Sequence, residues 1–132
     1  MTVNPYHLAF TSILLVSIAQ LLMKYAMINL NVEIADIVIG LEFLSTYWQP
    51  VLLPLFIGMA CYGLSVLCWI SALSAIPLSI AYPLLSLSYV LVNIGVWVFP
   101  IYNEQLNLTR VIGILLILIG VLFVARQSQD LG

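Results

Sequence analysis

Ser79, Tyr82, Ser86, Tyr89 and Asn93 follow one another at intervals of three, four, three and four. Residues at that spacing share one stripe of an α-helix. The stretch around them is almost wholly apolar, so the stripe lies on a membrane-crossing helix, where polar groups are costly and turn away from lipid. Such a row suits hydrogen bonding to a polar substrate; the alternative is that it only bonds neighbouring helices, as Ser and Asn often do. Pro83 interrupts the same helix and frees a backbone carbonyl beside the stripe. A second stripe, Ser17, Gln20 and Lys24, runs along the first apolar segment. Lys24 is placed either to meet a lipid phosphate, which a flexible ammonium suits, or to snorkel to the headgroups. Gln20 lies deeper and can hydrogen-bond but cannot titrate. In the next apolar segment Gly58, Cys61, Tyr62, Ser65 and Trp69 share a side, the small residues allowing close helix contact and the aromatics, Trp69 above all, able to line a cavity.

The elements that must position these residues are membrane helices. Between Glu42 and Glu104 the chain runs for sixty-one residues without an Asp, Glu, Lys or Arg. One crossing takes ~20 apolar residues, so this run is two crossings joined by a tight turn. The flanks add two more. The sequence predicts an all-α membrane protein: one domain, 1–132, with four transmembrane helices at 6–28, 50–73, 78–99 and 108–125. The short turn at 74–77 makes the second and third helices antiparallel neighbours. Residues 33–46 read either as an amphipathic helix lying at the interface or as an ordered loop on the helix ends. Gly113 and Gly120, one heptad apart on an otherwise aliphatic last helix, read as a packing or dimerisation face. Four helices enclose little volume, so a dimer is the expected functional unit.

Composition excludes several classes. Hydrophobic residues make up 64% of the chain and charged ones 6%, with a net charge of -2. A nucleic-acid binder needs a basic patch, which this balance does not supply. With a single histidine, His7, and acids confined to the edges, no hydrolytic triad, metal cluster or carboxylate pair can be assembled. The chain is read as a non-enzyme with no metal and no cofactor. Cys61 and Cys68 sit seven apart on one helix, which puts their α-carbons ~10.5 Å apart and too far to bridge. The first apolar segment lacks a basic region before it and a small-residue cleavage site after it, so it reads as a permanent crossing rather than a signal peptide. Lys and Arg divide too evenly between the two sides to set an orientation.

With helices and stripes placed, the chain resembles the four-helix, small multidrug resistance-like branch of the drug/metabolite transporter superfamily (EamA-like). CYGLSVLCW (Cys61 to Trp69), IPLSIAYPLLSLSYVLV (Ile76 to Val92), IAQLLMKYAM (Ile18 to Met27) and RVIGILLILIGVLFV (Arg110 to Val124) are similar to the paired small subunits of the 4-amino-4-deoxy-L-arabinose-phosphoundecaprenol flippase. The resemblance implies a lipid-linked aminosugar flipped across the bacterial inner membrane for lipid A modification. It implies two four-helix subunits, as a homodimer or with a sister subunit, among membrane lipids. It matches Lys24 to a basic position ending helix one, and Tyr82, Pro83 and Ser86 to a helix-three signature. Glu104 resembles an acidic residue in the turn before the last helix, there either to meet a sugar ammonium or to cap that helix. Multidrug pumps of this size place a glutamate where Gln20 stands, which argues against proton-coupled drug export. Export of small cations and a non-transporting assembly role are the alternative readings.

Overall fold

The computed structural model describes residues 4–30, 45–105 and 107–130. Among them are four long helices, α1 (Pro5–Asn29), α2 (Leu53–Leu73), α3 (Leu78–Val98) and α4 (Leu108–Asp130). All four are long and apolar enough to cross a membrane, so the chain is an all-α multi-pass protein. The interfacial helix expected at 33–46 falls almost wholly on residues outside those described.

Local chemistry sets the ends of these helices. The Asn4 side chain accepts the Tyr6 N–H at 3.1 Å, and Pro5 occupies the first position of α1, where a missing N–H costs nothing. The second crossing starts upstream of residue 50, at Ser45, and passes through a wide π-turn at Trp48–Leu52 before becoming α2. Pro50 lies in that turn and has no N–H to give, so the widened backbone absorbs it. Pro83 lies inside α3 and leaves the Ser79 carbonyl without its usual helical donor. A 3-10 turn, Pro100–Tyr102, follows α3 and ends at Asn103, whose φ of 47° is a left-handed conformation that Asn tolerates better than most residues. α4 runs beyond 125 to Asp130 because apolarity ends there but helix-forming Arg and Gln do not.

Lipid tails are as apolar as leucine, so helices in a bilayer associate through close packing and interhelical hydrogen bonds. The described residues follow that rule. Half of the buried apolar residues are alanines (Ala9, Ala19, Ala26, Ala72 and Ala81), and every buried polar residue is a serine. A β-carbon added to Gly58 would sit 3.2 Å from the Ala19 carbonyl oxygen, and one added to Gly95 would sit 2.6 Å from Leu21 Cδ1. Ser12 and Ser65 are tied reciprocally: Ser12 Oγ donates to the Ser65 carbonyl at 2.9 Å and Ser65 Oγ to the Ser12 carbonyl at 3.0 Å. Ser17 Oγ is shared between the Ile13 carbonyl at 2.7 Å and the Ser88 carbonyl at 3.4 Å.

These pairings give the topology. Along α1 the partners on α2 descend in number, Ser12 with Ser65 and Ala19 with Gly58, so α1 and α2 are antiparallel. The partners on α3 ascend, Ser17 with Ser88 and Leu21 with Gly95, so α1 and α3 are parallel. α1 is the hub that packs on both, while α4 packs against α3 and buries none of its membrane-crossing residues. The short turn at 74–77 makes α2 and α3 antiparallel, as expected, but they do not pack along their length. They diverge from that turn as the arms of a V, with α1 across the back.

Candidate functional site

The opening of the V is a cavity of about 210 Å³, lined by Ser12, Val16 and Gln20 of α1, Tyr62, Ser65, Val66 and Trp69 of α2, and Leu85, Ser88 and Tyr89 of α3. From Ser12 to Gln20 it extends about 12 Å along α1, which places it across the middle of that helix and of the bilayer. The serines in this wall are occupied by the carbonyls already named, with Ser88 Oγ donating to Leu85 at 2.7 Å. The Gln20 amide, the Trp69 indole N–H and the Tyr62 and Tyr89 hydroxyls are different. Among the described residues none of them has a hydrogen-bond partner. Polar groups left unsatisfied at this depth cost several kcal/mol each, so the groove favours water or a polar ligand over hydrocarbon.

One helical turn beyond Gln20, about 6 Å along α1, the groove gives way to charge. Glu104, in the turn before α4, pairs with Lys24 through Oε1 and with Arg110 Nη1 through Oε2 at 2.5 Å. Two cations share one carboxylate, and the cluster is net positive. Its side chains are 27% exposed for Glu104, 35% for Lys24 and 47% for Arg110, so an incoming anion can reach them. The Lys24 ammonium also stands 5.9 Å from the centre of the Tyr102 ring. Tyr102 is held in place by its hydroxyl, which donates to the Leu21 carbonyl at 2.9 Å. Burial, with Tyr25 adding to it, pushes the Tyr102 hydroxyl above the usual phenol range, so it remains a donor at neutral pH.

The residues singled out from the sequence therefore separate into three groups. Gln20, Trp69 and Tyr89 converge on the groove, and Lys24 and Glu104 converge on the charged cluster. Ser17 is buried and tied to backbone carbonyls, holding α1 to α3. The expected five-residue stripe of α3 does not line a single cavity. Ser79 is exposed, Tyr82 is 61% exposed, Ser86 Oγ bonds the Pro83 carbonyl at 2.5 Å, and Asn93 bonds the Tyr89 carbonyl at 2.8 Å near Glu104 and Arg110. Close approach to α1 requires small side chains, and α3 supplies them at Ala81, Ser88 and Gly95, which turns Tyr82 outward and leaves Tyr89 at the rim of the groove. Gly113 and Gly120 have nothing within 4 Å of the place a β-carbon would occupy, so no described residue covers their side of α4 there. Sequence reasoning missed Ser12, Ser88, Tyr102 and Arg110 as parts of the site. The heptad spacing of Ala81, Ser88 and Gly95 was a readable signal for Ser88, whereas nothing local marked Tyr102.

The chain is similar over most of its length to curated bacterial proteins. It is 47% identical to the probable 4-amino-4-deoxy-L-arabinose-phosphoundecaprenol flippase subunit ArnF of Shewanella sediminis, covering 93% of this chain and 88% of that protein. It is 42% identical to the protein of the same name in Serratia proteamaculans, over 89% of each chain. The like-named protein of Erwinia tasmaniensis is 45% identical, over 88% of this chain and 90% of its own length. No family model and no solved structure matches the chain.

Proposed function

We propose that this chain, which belongs to the family of 4-amino-4-deoxy-L-arabinose-phosphoundecaprenol flippase subunits, moves that lipid-linked aminosugar across a bacterial inner membrane together with a partner subunit. Those relatives are named as subunits, which implies the partner. The observation that carries the reading is the mid-membrane row of unpartnered polar groups leading directly into a net-positive cluster. The substrate's parts have matching chemistry. Its phosphate suits Lys24 and Arg110, its ammonium suits Glu104, and its sugar hydroxyls suit the Gln20 amide, the tyrosine hydroxyls and the Trp69 N–H.

A cavity of about 210 Å³ lies below the ~300–1,000 Å³ common for ligand pockets, which supports completion of the path by a second subunit. The uncovered Gly113 and Gly120 face of α4 and the outward Tyr82 side of α3 are the surfaces we assign to it. The partner is a sister subunit or a second copy of this chain. Proton-coupled cation export fits less well, because none of the four crossings contains an Asp or Glu to carry the proton.

The test is reconstitution of the purified chain in liposomes, with and without a sister subunit, using synthetic aminoarabinose-phospho-polyprenol. Leaflet exchange is scored by access of an amine-labelling reagent. Exchange should fall at least roughly tenfold in Lys24→Ala, as expected for loss of a charge-assisted contact. Exchange indifferent to Lys24, in either setting, would remove the cluster from the transport path.

A further inference from the structure

We infer that the outer side of α1 holds the phosphate-proximal isoprene units of the substrate in an apolar cleft, with the charged cluster as its head; this rests on the flippase reading above. The cleft has a volume of about 480 Å³ and lies between Ile18, Leu21 and Tyr25 of α1 and Phe99, Ile101 and Tyr102 of the turn before α4. Positions 12, 16 and 20 of α1 face the polar groove, whereas 18, 21 and 25 face the cleft. The two spaces therefore lie on opposite sides of the same helix, and Lys24, one turn beyond Gln20, falls on the edge between those two faces.

Tyr102 joins the apolar cleft to the cluster. Its ring walls the cleft and also stands under the Lys24 ammonium, and its hydroxyl is anchored on Leu21. An anion bonded directly to a hydrocarbon chain satisfies both halves at once. Bare hydrocarbon or an apolar partner helix would fill the cleft but, among the described residues, leave the net positive charge of Lys24, Arg110 and Glu104 beside it unanswered. Size agrees. A dry cavity of ~150 Å³ accepts benzene, so about 480 Å³ has room for roughly three to four five-carbon units.

The cleft gains little from the hydrophobic effect, since a prenyl chain in lipid is already out of water. Its contribution is packing against a fixed wall, which sets the phosphate at the height of Lys24. The phosphate then acts as a pivot: the chain stays on the outer side of α1 while the sugar passes over Lys24 into the groove.

The experiment uses the full chain in nanodiscs, alone and with a sister subunit. The probes are aminoarabinose-phospho-polyprenols of short, medium and full prenyl length, competing with a photoreactive analogue whose diazirine sits near the phosphate. Affinity should rise roughly threefold to tenfold from short to medium chains and then level off. Ile18→Trp and Ile101→Trp, at half-exposed positions, fill the cleft and should abolish that gain, leaving medium and full chains no tighter than the short lipid. Leu67→Trp, equally bulky on the open face of α2, should keep it. The crosslink should map to the Pro100–Tyr102 turn. Binding that ignores chain length, a gain that survives both cleft variants, or a crosslink lost when the sister subunit is added would each overturn the cleft. Failure of every lipid in the series to bind would overturn the flippase reading, and the cleft with it.

Discussion

Replacing Glu104 by Gln separates two roles the carboxylate could have. In the native cluster Lys24 and Arg110 are both engaged by Glu104, so a phosphate competes with a carboxylate for them. Exposed ion pairs contribute about 0.2–1 kcal/mol each. These side chains are between 27% and 47% exposed, so together the two pairs contribute roughly 0.5–2 kcal/mol. Glu104→Gln keeps the size of the side chain and removes that competition. A phospho-polyprenol without an amine should then bind roughly twofold to thirtyfold tighter, since 1.4 kcal/mol is a factor of ten. The aminosugar lipid should not share the gain, because the same substitution removes the partner of its ammonium. The ratio of the two affinities, taken by competition against a photolabelled lipid at low salt, isolates the effect from any general change in fold. Raising the salt should shrink the ratio as the exposed charges are screened. Equal weakening of both lipids would refute the reasoning and leave Glu104 as a clamp between α1 and α4.

Two further predictions concern the scaffold. Gly58→Val should lower thermal stability in detergent by about 1–3 kcal/mol, as overpacking does, because its side chain meets the Ala19 carbonyl at 3.2 Å. Gly63→Val, on the same helix with nothing within 4 Å, should leave the melting temperature nearly unchanged and serves as the control. Gly113→Leu with Gly120→Leu should leave the stability of the isolated chain nearly unchanged, as a β-carbon at either position meets no described residue within 4 Å. The same pair should reduce crosslinking between subunits in membranes. Undiminished crosslinking would show that the partner binds elsewhere.

Four crossings were legible in the sequence because the bilayer imposes a length and an absence of charge that few other environments require. Which side of each helix faces inward was much less legible. In water the inner face announces itself by hydrophobicity. In lipid nearly every face is apolar, and the packed side is chosen by smallness instead. The α3 stripe illustrates the difference: reading polarity turned both Tyr82 and Tyr89 away from lipid, whereas Ala81, Ser88 and Gly95 took the contact with α1 and only Tyr89 of the two lines the groove. Gln20 stood out in the sequence as an amide deep in a crossing and Trp69 as an aromatic able to line a cavity, and both lie in the wall of the groove. The ion cluster was hidden for another reason. Lys24 and Glu104 meet across eighty residues of chain, and only the parallel packing of α1 and α3 brings their ends together.

Exposure has a different meaning in this chain than in a soluble one, and that decides how the uncovered surfaces are weighed. α4 buries none of its membrane-crossing residues, yet lipid covers an aliphatic helix as well as a protein can, so its bareness alone does not call for a partner. The polar groups carry more weight. Tyr82 stands near the start of α3, where a hydroxyl can reach the headgroup region. Tyr89 has no such escape: it is 59% exposed at the middle of a 21-residue crossing, beside Gln20 and Trp69 in the mouth of the V. A hydroxyl there must bond something other than hydrocarbon, and no described residue of its own chain answers it. Water, a sugar head group and a second subunit are the occupants with the required chemistry. A path for a lipid-linked sugar needs all three at successive moments, with the V opening laterally so that the prenyl chain never has to leave the bilayer.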